Sequence, residues 1–233
     1  MAGTTDLRGS PRERALAGLA TLMTEAPWLV TVDDLARLRA TGVSDEGLEQ
    51  ALTIAGFFNY VTRVADATGI EPDYPSPLPR LSVDAAREPL PRPDRARWPA
   101  TARAPVPALP LREGTRAALD RWRAYAMERD APLSRREREV LARVVAELLC
   151  DSGACDVLGE ADPRTPREHA LAAYATALTL TPWRMGAADL APLRALGLED
   201  RALLDAISLI ALQNDLSRIA HGVRARATLP SSP

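Results

Sequence analysis

The chain has 233 residues, 46% hydrophobic and 26% charged, with a formal net charge of −2. That length buries a core without disulfide or metal staples, and the charge balance gives no basic field for nucleic acid or an anionic membrane. Two cysteines, Cys150 and Cys155, are too few for a disulfide scaffold, and no apolar run approaches the length of a membrane span. Met1 to Arg14 carries no apolar signal region, so a cytoplasmic protein with reduced thiols is the expectation.

The first element opens at Ser10-Pro11-Arg12-Glu13, a hydroxyl at the N-cap, Pro at N1 and Glu at N3, which is the capping-box arrangement. A helix is expected from there to just before Pro27-Trp28, then a shorter one over Val32 to Thr41, with Gly42 where a left-handed C-terminal residue is wanted. A third, longer helix begins near Ser44, with Leu48, Leu52, Ala55, Phe58 and Thr62 marking one stripe. From Pro72 to Pro110 the sequence holds 11 prolines, which forbid helix and central strand and predict an extended strap. Tyr74, Leu78, Leu81, Leu90 and Trp98 are its candidate anchors.

Helical periodicity returns over Arg112 to Glu128, with Leu119, Trp122, Tyr125 and Ala126 on one side. Ser134 caps the next helix, whose buried face is read as Val140, Leu141, Val144, Val145, Leu148 and Leu149, running directly into the cysteine segment. Then Pro11 to Ala65 is repeated without a gap as Pro166 to Ala220, with 24 identities in 55 positions, where roughly 4 to 6 are expected by chance in so Ala- and Leu-rich a chain. The second copy predicts helices from Pro166, over Ala187 to Leu196, and from Glu199. No stretch alternates with period two long enough to be a strand, so the fold class is all-α. Residues 10–69 form a first three-helix copy, 70–111 the strap, and 112–224 the cysteine-bearing helices with the second copy.

Two residue sets stand out by chemistry. Asn59 and Arg63, and their repeats Asn214 and Arg218, are i, i+4 polar pairs inside apolar segments. They either line a cavity beside the cysteines or join helices through buried hydrogen bonds and an Arg–Asp pair. His221 is either a displaced proton shuttle or a surface imidazole; His169 is read as solvated, and Trp28 and Trp183 as core anchors. No Gly-rich phosphate loop, paired-carboxylate site, Ser-His-Asp set or metal-ligand cluster is visible in the sequence.

The stretch from Leu133 to Cys155 resembles the catalytic segment of the alkylhydroperoxidase D-like / carboxymuconolactone decarboxylase superfamily, in which a helix with a buried Glu leads into Cys-x-x-Cys and a following His. Gly56-Phe57-Phe58-Asn59-Tyr60-Val61-Thr62-Arg63 looks like the Phe-Asn-x-x-x-Arg helix of its peroxidase-related members. The resemblance implies a duplicated helical bundle joined by the strap. It further implies a thiol peroxidase in which Cys155 attacks a small hydroperoxide, Cys150 resolves the sulfenic acid as a disulfide that a thiol reductant reopens, and Glu139 relays the proton. No cofactor is implied, and homo-oligomers through the long helices are. The spacing here is Cys-x-x-x-x-Cys, and Asp156 to Gly159 stand where the His follows. On one continuous helix the two thiols would diverge; Asp151-Ser152-Gly153 is turn chemistry that loops the segment. A non-catalytic helical module, acting by oligomerisation or binding, is the alternative function.

Overall fold

A computed structural model describes residues 9–70, 84, 86–99 and 113–230, and among them every regular element is helical. The α-helices are α1 (Pro11–Glu25), α2 (Val32–Ala40), α3 (Asp45–Thr68), α4 (Glu113–Glu128), α5 (Arg135–Leu148), α6 (Ser152–Leu158), α7 (Pro166–Leu180), α8 (Ala191–Ala195) and α9 (Asp200–Ala227). Their starts follow the local chemistry. Ser10, Ser134 and Thr165 each accept from the N–H of a Glu three residues on, and that Glu reaches back to the cap. Pro27-Trp28 and Pro182-Trp183 each open a short 3₁₀ turn at the end of the first helix of a copy. Gly42 (φ 86°) and Gly197 (φ 81°) take the left-handed conformation after the second helix.

The second copy departs from the expected single helix over Ala187 to Leu196. It is a 3₁₀ turn, Ala187–Leu190, followed by the short α8. Pro192 stands where the first copy has Arg37, and its missing N–H and ring clash stop one helix from running through.

α9 is the centre of the molecule, its side chains buried on nearly every face. It belongs to two apolar clusters: one with Leu19, Leu35, Leu48 and Leu52 of the first copy, and one with Leu141, Val145, Leu171 and Leu178 of α5 and α7. α3 crosses α9 antiparallel at very close range. A Cβ added to Gly56 would lie 2.4 Å from Asp215 Oδ1, and one added to Gly222 would lie 2.3 Å from Leu52 Cδ2, so the absence of side chains sets the approach.

The buried stripe of α3 is Leu48, Leu52, Gly56, Asn59, Arg63 and Ala67, which corrects the expected one. Phe58 is 58% exposed and Thr62 also faces out. The seam needs Gly56 for approach and Asn59 and Arg63 for hydrogen bonds, which turns the phenylalanines outward.

Of the strap, Trp98 packs against the larger cluster and donates Nε1–H to the Pro93 carbonyl at 3.2 Å. Arg87 pairs with Glu25 of the first copy and lies 5.7 Å over the Trp183 ring of the second, so this piece ties both copies together. Leu90 is partly exposed; Tyr74, Leu78 and Leu81 lie outside the described residues.

Candidate functional site at the cysteine turn

Helix α5 ends in a Schellman turn. Asp151 N–H donates to the Ala146 carbonyl at 2.9 Å and Cys150 N–H to Glu147 at 3.1 Å, which places Cys150 in the slot usually held by glycine. Cys150 accordingly has φ +57°, the only non-glycine among the described residues with a positive φ, at a cost of about 1 kcal/mol. Asp151 then caps α6 by accepting from Ala154 N–H at 3.2 Å, and Cys155 lies inside this new short helix. The chain therefore turns at Cys150 and Asp151, so of the Asp-Ser-Gly expected to loop it only Asp151 takes part. Gly153, the residue whose type announces a turn, is helical.

α9 clamps this turn on both sides. The buried His221 donates Nε2–H to the Leu149 carbonyl at 2.8 Å. One turn on, Arg224 Nη1 meets Asp151 Oδ1 at 2.9 Å in a pair that is 1% and 3% exposed. The first copy, which has no cysteine turn, carries Asp66 and Gly69 at these positions. His221 is thus an interior residue, not a surface imidazole; burial first, then the nearby Arg224 and Arg218, hold its pKa down at about 4, so it is neutral at pH 7.

Both thiols are free, and each is 1% exposed. Burial pushes Cys150 up to about 11 and Cys155 up to about 12, against the smaller pull of Arg92 on the first and Arg143 on the second. Arg143 donates to the Cys155 carbonyl at 2.8 Å, and it is also bonded to Glu147 Oε1 at 2.7 Å. At pH 7 the Cys155 thiol therefore stays protonated. Glu139 is partly exposed and pairs with Arg135 at 3.7 Å; the carboxylates acting on Cys155 are Glu147 and Asp151. The family resemblance singled out Glu139, which lies partly exposed away from the thiols; Glu147 carries no signal that separates it from the other charges of α5.

The Asn/Arg pairs occupy a different place, the joint between copies. Asn59 Nδ2 donates to Thr24 Oγ1 within its own copy at 3.0 Å, and Asn214 Nδ2 to the equivalent Thr179 Oγ1 at 3.0 Å. Each Arg is held by its Asn, Arg63 at 2.7 Å and Arg218 at 2.5 Å, and reaches across: Arg63 to the Thr179 carbonyl and Arg218 to the Thr24 carbonyl, both at 3.2 Å. The exchange is reciprocal. Burial lowers both guanidinium pKa values, Arg63 to about 10.

Comparison of the chain with protein-family models and with curated proteins finds no match. Among the described residues no helix is long and apolar enough to cross a membrane, and no group of three His, Cys, Asp or Glu side chains is placed to hold a metal ion.

Arg138, one arginine among four in α5 with nothing in the sequence to mark it, is fully buried. It donates to the carbonyls of Arg129 and Ala126 and pairs with Asp205 Oδ2 at 2.7 Å, sewing the α4–α5 turn onto α9.

Proposed function

We propose that this protein is a non-catalytic helical module that works by self-assembly or by binding a partner, built on a duplicated bundle of the alkylhydroperoxidase D-like type and residing in the cytoplasm. The observation that carries the reading is the sealing of both thiols. They are buried, driven to the protonated form, and fixed in a turn whose backbone and cap are clamped by His221 and Arg224. A peroxidatic cysteine needs the opposite, an accessible thiolate of depressed pKa. The Asn/Arg pairs fit the same reading, since their polar atoms are spent on joining the copies.

The peroxidase-related alternative draws on one observation: Cys150, Cys155, Asp151 and Arg143 gather within a single turn region, next to neutral His221. In that reading the Cys155 thiolate attacks the hydroperoxide, its O–O bond breaking to leave the alcohol and a Cys155 sulfenic acid, and Cys150 condenses with that sulfenic acid to a disulfide with release of water. Free thiols are titrated before and after a stoichiometric pulse of organic hydroperoxide, in wild type and in Cys155→Ser. The module reading expects both thiols of the wild type to survive the pulse at pH 7; loss of two thiols per chain in wild type alone would establish the peroxidase instead.

A further inference from the structure

The cysteine turn is walled on two sides by contacts of different kinds. On the α9 side the clamps are interior: His221 bonds the Leu149 carbonyl, and the Arg224–Asp151 pair is 1% and 3% exposed. The other wall is the strap. Arg92, Arg95 and Trp98 follow one another at intervals of three, and a chain with Pro at 89, 91 and 93 and the 3₁₀ turn Arg95–Arg97 both repeat about every three residues, so the three share a face. That face meets the end of α5. Arg95 pairs at 3.7 Å with Glu147, the carboxylate bonded to the same Arg143 that donates to the Cys155 carbonyl. Trp98 packs against the cluster that holds Cys150, Leu149 and Val145, with Arg95 5.6 Å over its ring. Arg92 and Arg95 are also the strap cations that act on Cys150 and Cys155 respectively.

We propose that the strap from Arg87 to Trp98 is a latch on this turn: it lifts from α5 as a unit while the bundle stays folded, and the two thiols meet solvent only when it does. This goes beyond the module reading, which concerns the closed form. What the latch uncovers is a modification site for a small electrophile, sealed at rest. Three features make the strap the side that opens. Among its described residues none is buried, so lifting it exposes little apolar surface besides the Trp98 ring. Its ionic fastenings are exposed pairs, Arg87–Glu25, Arg184–Glu88 and Arg95–Glu147, which contribute little in water and are screened by salt. Pro89, Pro91 and Pro93 fix their own φ and stiffen the run, so the segment moves as a rod and does not peel residue by residue. The buried α9 clamps meanwhile keep the turn itself in shape.

Alkylation of the full chain by iodoacetamide at pH 8, followed by mass, tests this. Both thiols of the wild type should label in one slow phase whose rate hardly changes with urea below the unfolding transition, as a local opening requires. Trp98→Ala should speed that phase about tenfold, and Arg95→Glu roughly threefold. The sign of the second effect is diagnostic. Arg95 lowers the Cys155 pKa, so loss of its charge alone would slow alkylation; a faster rate reports opening. Gly56→Ala, which strains the α3–α9 seam, should lower the urea midpoint and leave the rate unchanged. A rate that climbs with urea in step with unfolding overturns the latch, and so does one that ignores both strap variants. The hydroperoxide titration fails separately: thiols consumed by hydroperoxide would sink the module reading and leave the latch standing.

Discussion

Asp215 and His221 sit six residues apart on α9 and respond to burial with opposite signs. Asp215 has one carboxylate oxygen without a hydrogen-bond partner, and burial raises its pKa from 3.8 to about 7 despite the nearby Arg218. The folded chain therefore holds this proton more tightly than the unfolded chain does. Its contribution to stability is fully present below pH 3.8 and is lost as pH rises through about 7. His221 runs the other way: its folded pKa is depressed from 6.5 to about 4, so its contribution is lost as pH falls through that window. Between pH 7 and 8 Asp215 dominates. Asp215→Asn should raise the melting temperature above wild type at pH 8, by an amount corresponding to on the order of 2–4 kcal/mol, and the advantage should shrink as pH is lowered to 5. Thermal unfolding of both proteins at pH 5, 6, 7 and 8 measures this; a constant difference would show that the carboxylate is not the cause. At this scale the sequence spoke unevenly. Asn59 and Arg63 announced themselves by recurring, because a polar residue kept twice in an apolar helix has few reasons to be there. Cys150 gave no sign of its left-handed backbone, because the turn that imposes it is made by carbonyls of α5 and held by α9.

Among the elements, the α3–α9 seam depends on close approach more than on side-chain volume. Gly56 is interior to a helix, where Ala is ordinarily better by about 1 kcal/mol. Here the added Cβ would meet Ile219 and the Asp215 carboxylate at 2.4 Å, and Ile219 is backed by the first-copy core. Overpacking of that kind costs roughly 1–3 kcal/mol, so the clash outweighs the propensity gain. Gly56→Ala should lower the urea midpoint, while Gly18→Ala, interior to α1 with nothing within 4 Å of the new Cβ, should raise it. If both variants shift the midpoint upward, the seam is looser than described. The outward-facing Phe58 belongs to the same account: helical period was legible in α3, but the face to be buried was not. Pro192 shows the converse, a helix break written in one residue and masked only by the strength of the repeat.

At the scale of the molecule, the two copies cannot be separate folding units. α9 supplies Ile219 and Val223 to one apolar cluster and Leu203, Ile207 and Ile210 to the other. Arg63 and Arg218 each bond a carbonyl of the opposite copy. Loss of either copy strips apolar cover and leaves a guanidinium buried without its acceptor, so the chain should unfold in one cooperative step. Far-ultraviolet circular dichroism follows all helices, while fluorescence follows Trp28 in the first copy together with Trp98, Trp122 and Trp183. Coincident urea transitions are expected; separated midpoints would mean that the copies melt independently. By itself the sequence determined the helix starts with their capping boxes, the long helices and the duplication, since each is set by residues within a turn or two of one another or by direct recurrence; the break at Cys150 was not among them. Only the tertiary structure decided that α5 covers Leu209 and Leu212 of α9 while Ile54, Phe57, Phe58 and Val61 of α3 stay exposed, and that both cysteines are sealed. Burial is fixed by which distant segment packs on a face, and nothing in the local pattern of α3 or of the cysteine segment encodes that partner.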